Sequence, residues 1–386
     1  MKPYLLLILL FICSCLPGGD EYKPLDIELT LNFNSALTNP PKRSFIYDIV
    51  DSVQIIALET NDESVLNDFV NFEFGPEFIY ILDFSHAGSV AIFRHDGSFV
   101  KRIPVGQGPG EIYNAIDITF DFAKNELLVF QLGGVNRYTA DGLFKDHYDV
   151  QYFIEDMMPK PNGDGYVVVQ AEGANRYRLF TVFWVDSCFS IQRSVNLPLR
   201  TYLNHNPHLL THSVDGFVNL SRFIDSDVYA IGDSTIRIKR QLDFSDCALE
   251  LPEVDDISDY NQYKSLESDT KFLYTAGFCE TNNYEFYTFK SKSDYLVFYR
   301  NKNTGEIIGP IEISSKHSLL EAPSVYAHSY GDFFISIEYH TDDLMHYEAN
   351  SKVFSPAQME ILRNSKPDDN PLIILYRLKD IPVDTE

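Results

Sequence analysis

The sequence predicts an all-β fold, a six-bladed β-propeller of four-stranded antiparallel blades, from three observations. Aromatic residues make up 14% of the 386 residues, and aromatic-rich runs favour strands. Asp96, Asp141 and Asp186 stand 45 residues apart, each between alternating apolar runs, which is the pattern of a β-hairpin. Further strand-like runs surround each hairpin, and four strands in about 45 residues are typical of propeller blades.

The hairpin repeat has a consistent local pattern. Its copies read FRHDGSFV from Phe93, YTADGLFK from Tyr138 and FWVDSCFS from Phe183. An aromatic residue stands three positions before each Asp and three after it, and a small residue follows the Asp. Because such turns need a residue with positive φ, we align Ser187 with the glycines of the first two copies.

Strand-like runs divide residues 45–382 into six blades. The first five blades are predicted at about 69–104, 115–150, 152–197, 208–246 and 271–313. The sixth begins near Ser324 and has its third strand at Leu372–Leu378, after which the chain nearly ends. The unassigned run Ser52–Glu59 can supply the missing fourth strand. We therefore expect this N-terminal strand to close the ring and remove its free edge.

The last blade contains an insertion at about 341–370. Ser355 and Gln358 form a capping-box pattern around Pro356, and proline is favoured at the first helical position. The pattern predicts one short helix at about 356–364.

The N-terminus has the features of an exported lipoprotein. Residues 1–14 contain Lys2 and a short apolar run, as in a signal peptide, and the run is too short to span a bilayer. Cys15 would then be lipidated, and residues 15–44 would include a polar tether. An ordinary signal peptide with an incidental cysteine is the alternative. The first interpretation predicts an outer-membrane lipoprotein, periplasmic or surface-exposed, that touches the membrane only through its lipid.

The net charge limits the classes of binding partner, and the cysteine count limits the number of disulfide bonds. A formal net charge of −25 makes nucleic acid an unsuitable partner, although the charge is also explained by solubility alone. Beyond Cys15 the chain has Cys188, Cys247 and Cys279, which allow at most one disulfide.

A glycine-rich stretch, VGQGPGEIY at 105–113, raises the question of nucleotide binding. A dinucleotide fingerprint needs a following helix, whereas IYNAIDITFD alternates as a strand. The stretch is therefore predicted to connect two blades, near the mouth of the central channel. The candidate ligand-binding residues there are Gln107, Glu111, Tyr113, Asn114 and Asp117. The alternative is that the loop residues only fix a turn.

No catalytic residue, metal ligand or cofactor is assigned from the sequence. His205, His208 and His212 lie in a Pro-containing run that argues against a helical metal site. Acidic or histidine side chains on the expected inner strands are scattered one per blade: Glu73, Asp117, Glu155, His212 and His328. If they converge, a hydrolase or lyase with a divalent ion such as Ca²⁺ at the channel mouth becomes possible.

The chain resembles the six-bladed β-propeller lipoproteins of the Bacteroidetes, whose blades are NHL-like. The resemblance covers about 50–380 and rests on IIALET, FIYILD…VAIFRHDGSFVKRIPVGQGPGEIY, DSTIRIKRQLDF and DDNPLIILYRLK. Blade four departs from the family pattern with SRFIDSDVYAIGDSTI. The resemblance implies an architecture and an envelope location. We expect a binding module for a glycan, peptide or protein, with the propeller-type hydrolase or lyase as the alternative.

Overall fold

The protein is a closed six-bladed β-propeller, which confirms the predicted fold class. The computed structural model describes residues 25–39, 46–66, 69–84, 88–171, 179–198, 209–223, 225–250, 268, 270–275, 277–292, 295–311, 328–338 and 354–380. Among these residues, no helix is both long and apolar enough to cross a bilayer.

The elements before the first blade are short. They are β1 (Thr30–Asn32), α1 (Asn34–Thr38), α2 (Ile46–Ile49) and β2 (Val50–Ala57).

The first three blades follow the predicted boundaries closely. Blade one contains β3 (Phe69–Phe74), β4 (Phe78–Asp83), β5 (Ser89–Arg94) and β6 (Phe99–Ile103). Blade two contains β7 (Ala115–Asp121), β8 (Glu126–Gln131), β9 (Gly134–Thr139) and β10 (Phe144–Asp149). Blade three contains β11 (Asp156–Pro159), β12 (Tyr166–Ala171), β13 (Leu179–Val185) and β14 (Ile191–Pro198).

Blades four to six complete the ring. Blade four contains β15 (Leu210–His212), β16 (Val218–Ser221), β17 (Asp227–Ile231) and β18 (Ile236–Asp243). Blade five contains β19 (Leu273–Tyr274), β20 (Cys279–Glu280), β21 (Tyr284–Lys290), β22 (Tyr295–Asn301) and β23 (Ile307–Ile311). Blade six contains β24 (His328–Tyr330), β25 (Phe333–Glu338) and, after helix α3 (Pro356–Asn364), β26 (Leu372–Leu378). Its outermost strand is β2.

The ring closes as the sequence predicts. Strand β2 pairs antiparallel with β26, from Val50 opposite Leu378 to Ala57 opposite Leu372. The inner ends meet as well, because the rings of Phe72 in β3 and His328 in β24 lie 4.2 Å apart between centroids. Blade six therefore combines strands from both ends of the chain.

In the third hairpin the residue with positive φ is not the one predicted from the sequence alignment. In the first two copies, Gly97 and Gly142 have φ of +87° and +76°, and their amides donate to residues three positions earlier. In the third copy that position belongs to Phe189, with φ +62°, and its amide donates to the Asp186 carbonyl. Ser187 is not the counterpart of the glycines. The Phe189 ring stacks on Tyr166 with centroids 5.0 Å apart.

The hydrophobic core consists of separate clusters between blades. Among the described residues there are six clusters, one at each junction of neighbouring blades. Each blade is therefore apolar on both faces, which explains the near-continuous apolar runs of its central strands.

The segment 25–39, part of the region predicted to include a tether, packs against the propeller. Strand β1 adds parallel to β18 as a fifth strand of blade four. Phe33 is fully buried, with its ring centroid 4.9 Å from that of Phe289 in blade five. Glu28 accepts hydrogen bonds from Arg237 and Arg240. This segment, which we call the N-terminal strap, was not anticipated because it is too short to show a strand pattern.

Helix α3 confirms the predicted insertion helix. The amide of Gln358 donates to Ser355 Oγ at 3.3 Å, and the amide of Ser355 donates to Gln358 Oε1 at 2.7 Å, which completes the capping box. Met359 and Leu362 are buried against the junction of blades five and six. Residues 341–353 of the expected insertion lie outside the described residues.

The strap can be tested through Phe33. Phe33→Ala removes a fully buried ring, so we expect the free energy of unfolding to fall by about 3–5 kcal/mol. Ile27→Ala changes an exposed side chain of the same strap and should stay within about 0.5 kcal/mol. Urea unfolding followed by circular dichroism measures both. Equal effects of the two variants would show that the strap does not depend on Phe33 packing.

Candidate functional site

The glycine-rich stretch is the connection between β6 and β7. Its base is held by two backbone hydrogen bonds, from the Gly106 amide to the Ile112 carbonyl and from the Ile112 amide to the Pro104 carbonyl, both 2.9 Å. The stretch 104–112 is therefore a closed loop, which we call the glycine loop.

Glu111 fixes the glycine loop from inside. Its Oε2 accepts from the Gly108 amide at 2.7 Å. A Cβ added at Gly106 would collide with the same carboxylate oxygen, and one added at Gly110 would lie 2.7 Å from Phe144 Cβ. Gly110 also has φ +79°, a conformation that favours glycine. The glycines thus make room for the Glu111 carboxylate and for blade two, which explains the motif without a phosphate.

The glycine loop packs on the outer half of blade two, away from the expected position at the channel mouth. Asn136 Nδ2 in β9 donates to the Glu111 carbonyl at 3.0 Å, and Tyr138 Oη donates to the Gly110 carbonyl at 3.4 Å. His147 Nδ1 in β10 lies 2.7 Å from Asn136 Oδ1. The expected placement is corrected because the loop folds back against β9 and β10.

A cleft of about 530 Å³ lies between the glycine loop and blade two. It contains three of the five predicted ligand-binding residues, namely Gln107, Glu111 and Tyr113. Its other lining residues are Gly106, Gly108, Pro109, Gly110, Gln131, Leu132, Gly133, Asn136, Phe144, His147 and Asp149. The volume falls within the range of ligand-binding pockets, which is roughly 300–1,000 Å³.

The cleft combines a polar floor with exposed apolar groups. On the floor, Gln131 Oε1 accepts from the Tyr113 amide at 3.0 Å and from Asn136 Nδ2 at 3.3 Å. At the rim, the side chains of Leu132 and Tyr113 are 61% and 40% exposed. The hydrogen bonds hold the floor rigid, and the exposed groups are available to a ligand.

The other two predicted residues lie apart from the cleft lining. Asn114 follows Tyr113 and accepts from the Leu132 amide through its carbonyl at 3.3 Å. Its φ of +51° is one that asparagine tolerates. Asp117 lies further inward on β7 and is buried, 3% exposed. The predicted set is therefore split between the cleft and the central channel.

Asp117 belongs to a group of carboxyl groups that link inner strands. Asn71 in β3 donates to Asp117 through Nδ2, and Thr119 Oγ1 in β7 lies 3.4 Å from Glu73 Oε1 in β3. Asp156 Oδ2 in β11 accepts from the amides of Leu209 and Leu210, both at 2.8 Å. We call Glu73, Asp117 and Asp156 the channel carboxyls.

Burial changes the acidity of the channel carboxyls. Burial, and then the nearby Asp156 charge, raise the pKa of Glu73 to about 8. Burial also raises the pKa of Asp117 and of Asp156, and the Asp156 charge raises that of Asp117 further. Perturbed carboxyl groups accompany many active sites. Here each one also bonds backbone amides or a neighbouring blade, so a structural role accounts for them.

The remaining expected channel residues do not converge with this group. The Glu155 amide donates to the Val169 carbonyl just before β11 begins, so Asp156 takes the inner-strand position assigned to Glu155. His212 contacts Phe122, and His328 contacts Phe72. The one-residue shift matters because adjacent strand residues point to opposite faces. The run FIEDMMP alternates too little between polar and apolar residues to show which of Glu155 and Asp156 occupies the inner-strand position.

In the described part of the chain, no three His, Cys, Asp or Glu side chains are grouped as metal ligands would be. Cys188 is an exposed free thiol, and Cys247 and Cys279 are buried free thiols. His205 and His208 lie outside the described residues.

A buried ion cluster joins blades four and five. Lys239 Nζ, 1% exposed in its side chain, donates to Glu280 Oε1 at 2.5 Å, and Lys302 Nζ donates to Glu280 Oε2 at 2.8 Å. Burial alone would raise the pKa of Glu280, but the two ammonium groups lower it to about 2. Because its charges are already paired with one another, this cluster is a poorer candidate for ligand binding than the cleft.

The chain belongs to a family described as "Domain of unknown function (DUF4934)", whose model matches residues 28–377. None of the curated proteins matches the chain. A solved structure of a Bacteroides fragilis protein, which its name describes as exported, is similar with a TM-score of 0.69 and 18% identity. That match covers 91% of this chain and 99% of the other, and it shows a shared fold. A DUF4221 family member from Bacteroides vulgatus is more distant, with a TM-score of 0.47, 9% identity and coverage of 86% and 97%.

The channel carboxyls predict a pH dependence of stability. Glu has a pKa of about 4.3 in an unfolded chain, whereas the pKa of Glu73 in the folded protein is raised to about 8. Between these two pH values the folded protein therefore binds more protons at Glu73 than the unfolded chain does. Stability contributed by this group is therefore present at low pH and lost as pH rises through the folded pKa. The clearest window is about pH 7 to 8.5, because desolvation lowers the pKa of His212 to about 4 and unfolded histidines are largely neutral there.

Glu73→Gln should flatten the fall in melting temperature across that window, because it removes the titration and keeps an acceptor for Thr119. Glu306→Gln changes an exposed acid of blade five and should leave the wild-type slope. Thermal melts at several pH values measure the slopes. An unchanged slope in Glu73→Gln would contradict a protonated Glu73 in the folded channel.

Proposed function

We propose that the protein is a lipid-anchored binding module of the cell envelope, and that it holds its ligand in the cleft beside the glycine loop. The observation that carries this proposal is the cleft itself, in which exposed Tyr113 and Leu132 surround a hydrogen-bonded floor of Gln131 and Asn136. Apolar walls with a few fixed polar groups are typical of ligand sites. Rigid aromatic side chains lose little entropy when they bind.

The envelope location is supported by the N-terminal sequence and by the similar exported protein of Bacteroides fragilis. Cys15 lies ten residues before the first described residue, Leu25. A tether from a lipidated Cys15 would thus be short and would lead into the N-terminal strap on blade four. A module held this way faces the periplasm or the cell exterior. Its net charge of −25 makes nucleic acid an unsuitable ligand.

The binding proposal predicts a loss of affinity without a loss of stability. Tyr113→Ala and Gln107→Ala alter exposed cleft residues, so both variants should keep the wild-type melting temperature within the range of surface substitutions. For a ligand found by screening neutral oligosaccharides and a displayed peptide library, we expect at least one variant to bind about tenfold more weakly, which corresponds to about 1.4 kcal/mol.

Tyr295→Ala is the matched control, because Tyr295 is an equally exposed aromatic residue, 44% exposed, on blade five. It should bind like the wild type in titration calorimetry. Undiminished binding in both cleft variants would make the glycine loop a structural corner only.

Lipid anchoring predicts that Cys15→Ala moves the protein from the membrane fraction to the soluble fraction. Fractionation of cells and the intact mass of the wild type measure this. A Cys15→Ala variant that stays with the membrane, or a wild-type mass without a lipid, would contradict the anchor.

A further inference from the structure

The cleft opens beside a set of exposed apolar side chains on one face of the ring. These residues are Val105 and Tyr113 in the β6–β7 connection, Leu132 in the β8–β9 turn and Phe153 in the β10–β11 connection. Because successive strands are antiparallel, these three connections emerge on the same face. Their exposed fractions range from 39% to 61%. Large exposed apolar side chains on one face are a feature of protein interaction sites.

The charge of the cleft favours a cation. Among the described residues that line it, Glu111 and Asp149 are the acids and none is Lys or Arg, and His147 Nε2 faces Asp149 Oδ1 at 3.3 Å. The whole chain carries −25, so its long-range field attracts cationic partners and repels anionic ones.

The β8–β9 turn leaves its backbone accessible at Gly133. Gly133 has φ +92°, and no atom of the described residues lies within 4 Å of where its Cβ would be. Glycines at such positions let another main chain approach closely. Leu132 and Val105 are aliphatic and offer no hydrogen bonds, so covering them with the hydroxyl groups of a sugar would leave those hydroxyls unsatisfied. An apolar side chain covers them without that cost.

We propose that the cleft and the adjacent apolar connections bind an extended segment of a partner protein in which Lys or Arg stands next to large apolar side chains. This inference rests on the proposed function of the cleft and narrows its ligand to one class. The basic side chain would meet Asp149 and Glu111, and the apolar side chains would cover Leu132, Tyr113 and Phe153.

A displayed random heptapeptide library, selected on the purified full-length protein, tests the sequence class directly. We expect the enriched peptides to combine Lys or Arg with Leu, Ile, Phe, Tyr or Trp. Enrichment of acidic or purely polar peptides, or no enrichment over empty support, would overturn the proposal.

Charge-reversal variants then test the location. For one enriched peptide made synthetically, Asp149→Lys should weaken binding at least about tenfold. Asp164→Lys makes the same change of charge at an exposed acid in the β11–β12 turn, which lies on the opposite face of the ring. This variant should weaken peptide binding far less. Leu132→Ser should also weaken binding, with an unchanged melting temperature. Equal losses in Asp149→Lys and Asp164→Lys would show only a general charge effect and overturn the docking surface.

A parallel panel of neutral oligosaccharides separates the two levels of inference. If an oligosaccharide binds and Tyr113→Ala abolishes its binding while no peptide is enriched, the peptide proposal fails and the cleft remains a ligand site. If neither class binds, both the peptide proposal and the proposed function fail.

Discussion

The structure depends on closing a ring whose first and last strands come from opposite ends of the chain. Pairing of β2 with β26 gives blade six its fourth strand and places blade six between blades five and one. Every other blade is local in sequence, apart from the strap strand on blade four. Since each junction buries apolar side chains from both neighbours, an open ring would expose two apolar faces at once. Closure therefore makes the six separate cores mutually dependent.

Polar links also join neighbouring blades around the ring. Asp117 joins blade two to Asn71 of blade one, and Asp156 joins blade three to the first residues of blade four. Further around, Lys239 of blade four reaches Glu280 of blade five, whose carbonyl accepts from Ser329 of blade six. These bonds give partners to buried polar groups where neighbouring blades meet. Acidic residues in a propeller channel therefore do not by themselves indicate catalysis.

The sequence was most informative where a local rule determines the structure. The starts of blades one and two at Phe69 and Ala115, the strand Leu372–Leu378 and the helix Pro356–Asn364 agree with their predicted positions, because alternation and capping are properties of adjacent residues. It was least informative where tertiary contacts decide. The strap is held by the packing of Phe33 and by the pairing of β1 with β18. Neither contact requires a periodic pattern of apolar residues within 25–39.

The candidate site shows the same division. Gln107, Glu111 and Tyr113 were identified because a glycine-rich connection stands out in a strand-rich sequence, and they line one cleft. Their partners Asn136, His147 and Asp149 come from β9 and the outermost strand β10, where alternating polar residues look like an ordinary solvated edge. Only the folding back of the glycine loop onto that edge turns it into a site wall. The loop thus has two roles with different residues: Glu111 and the glycines set its shape, and Gln107 and Tyr113 project from it. Under the proposed function, variation at the projecting residues would change the ligand while the loop that presents them stays the same.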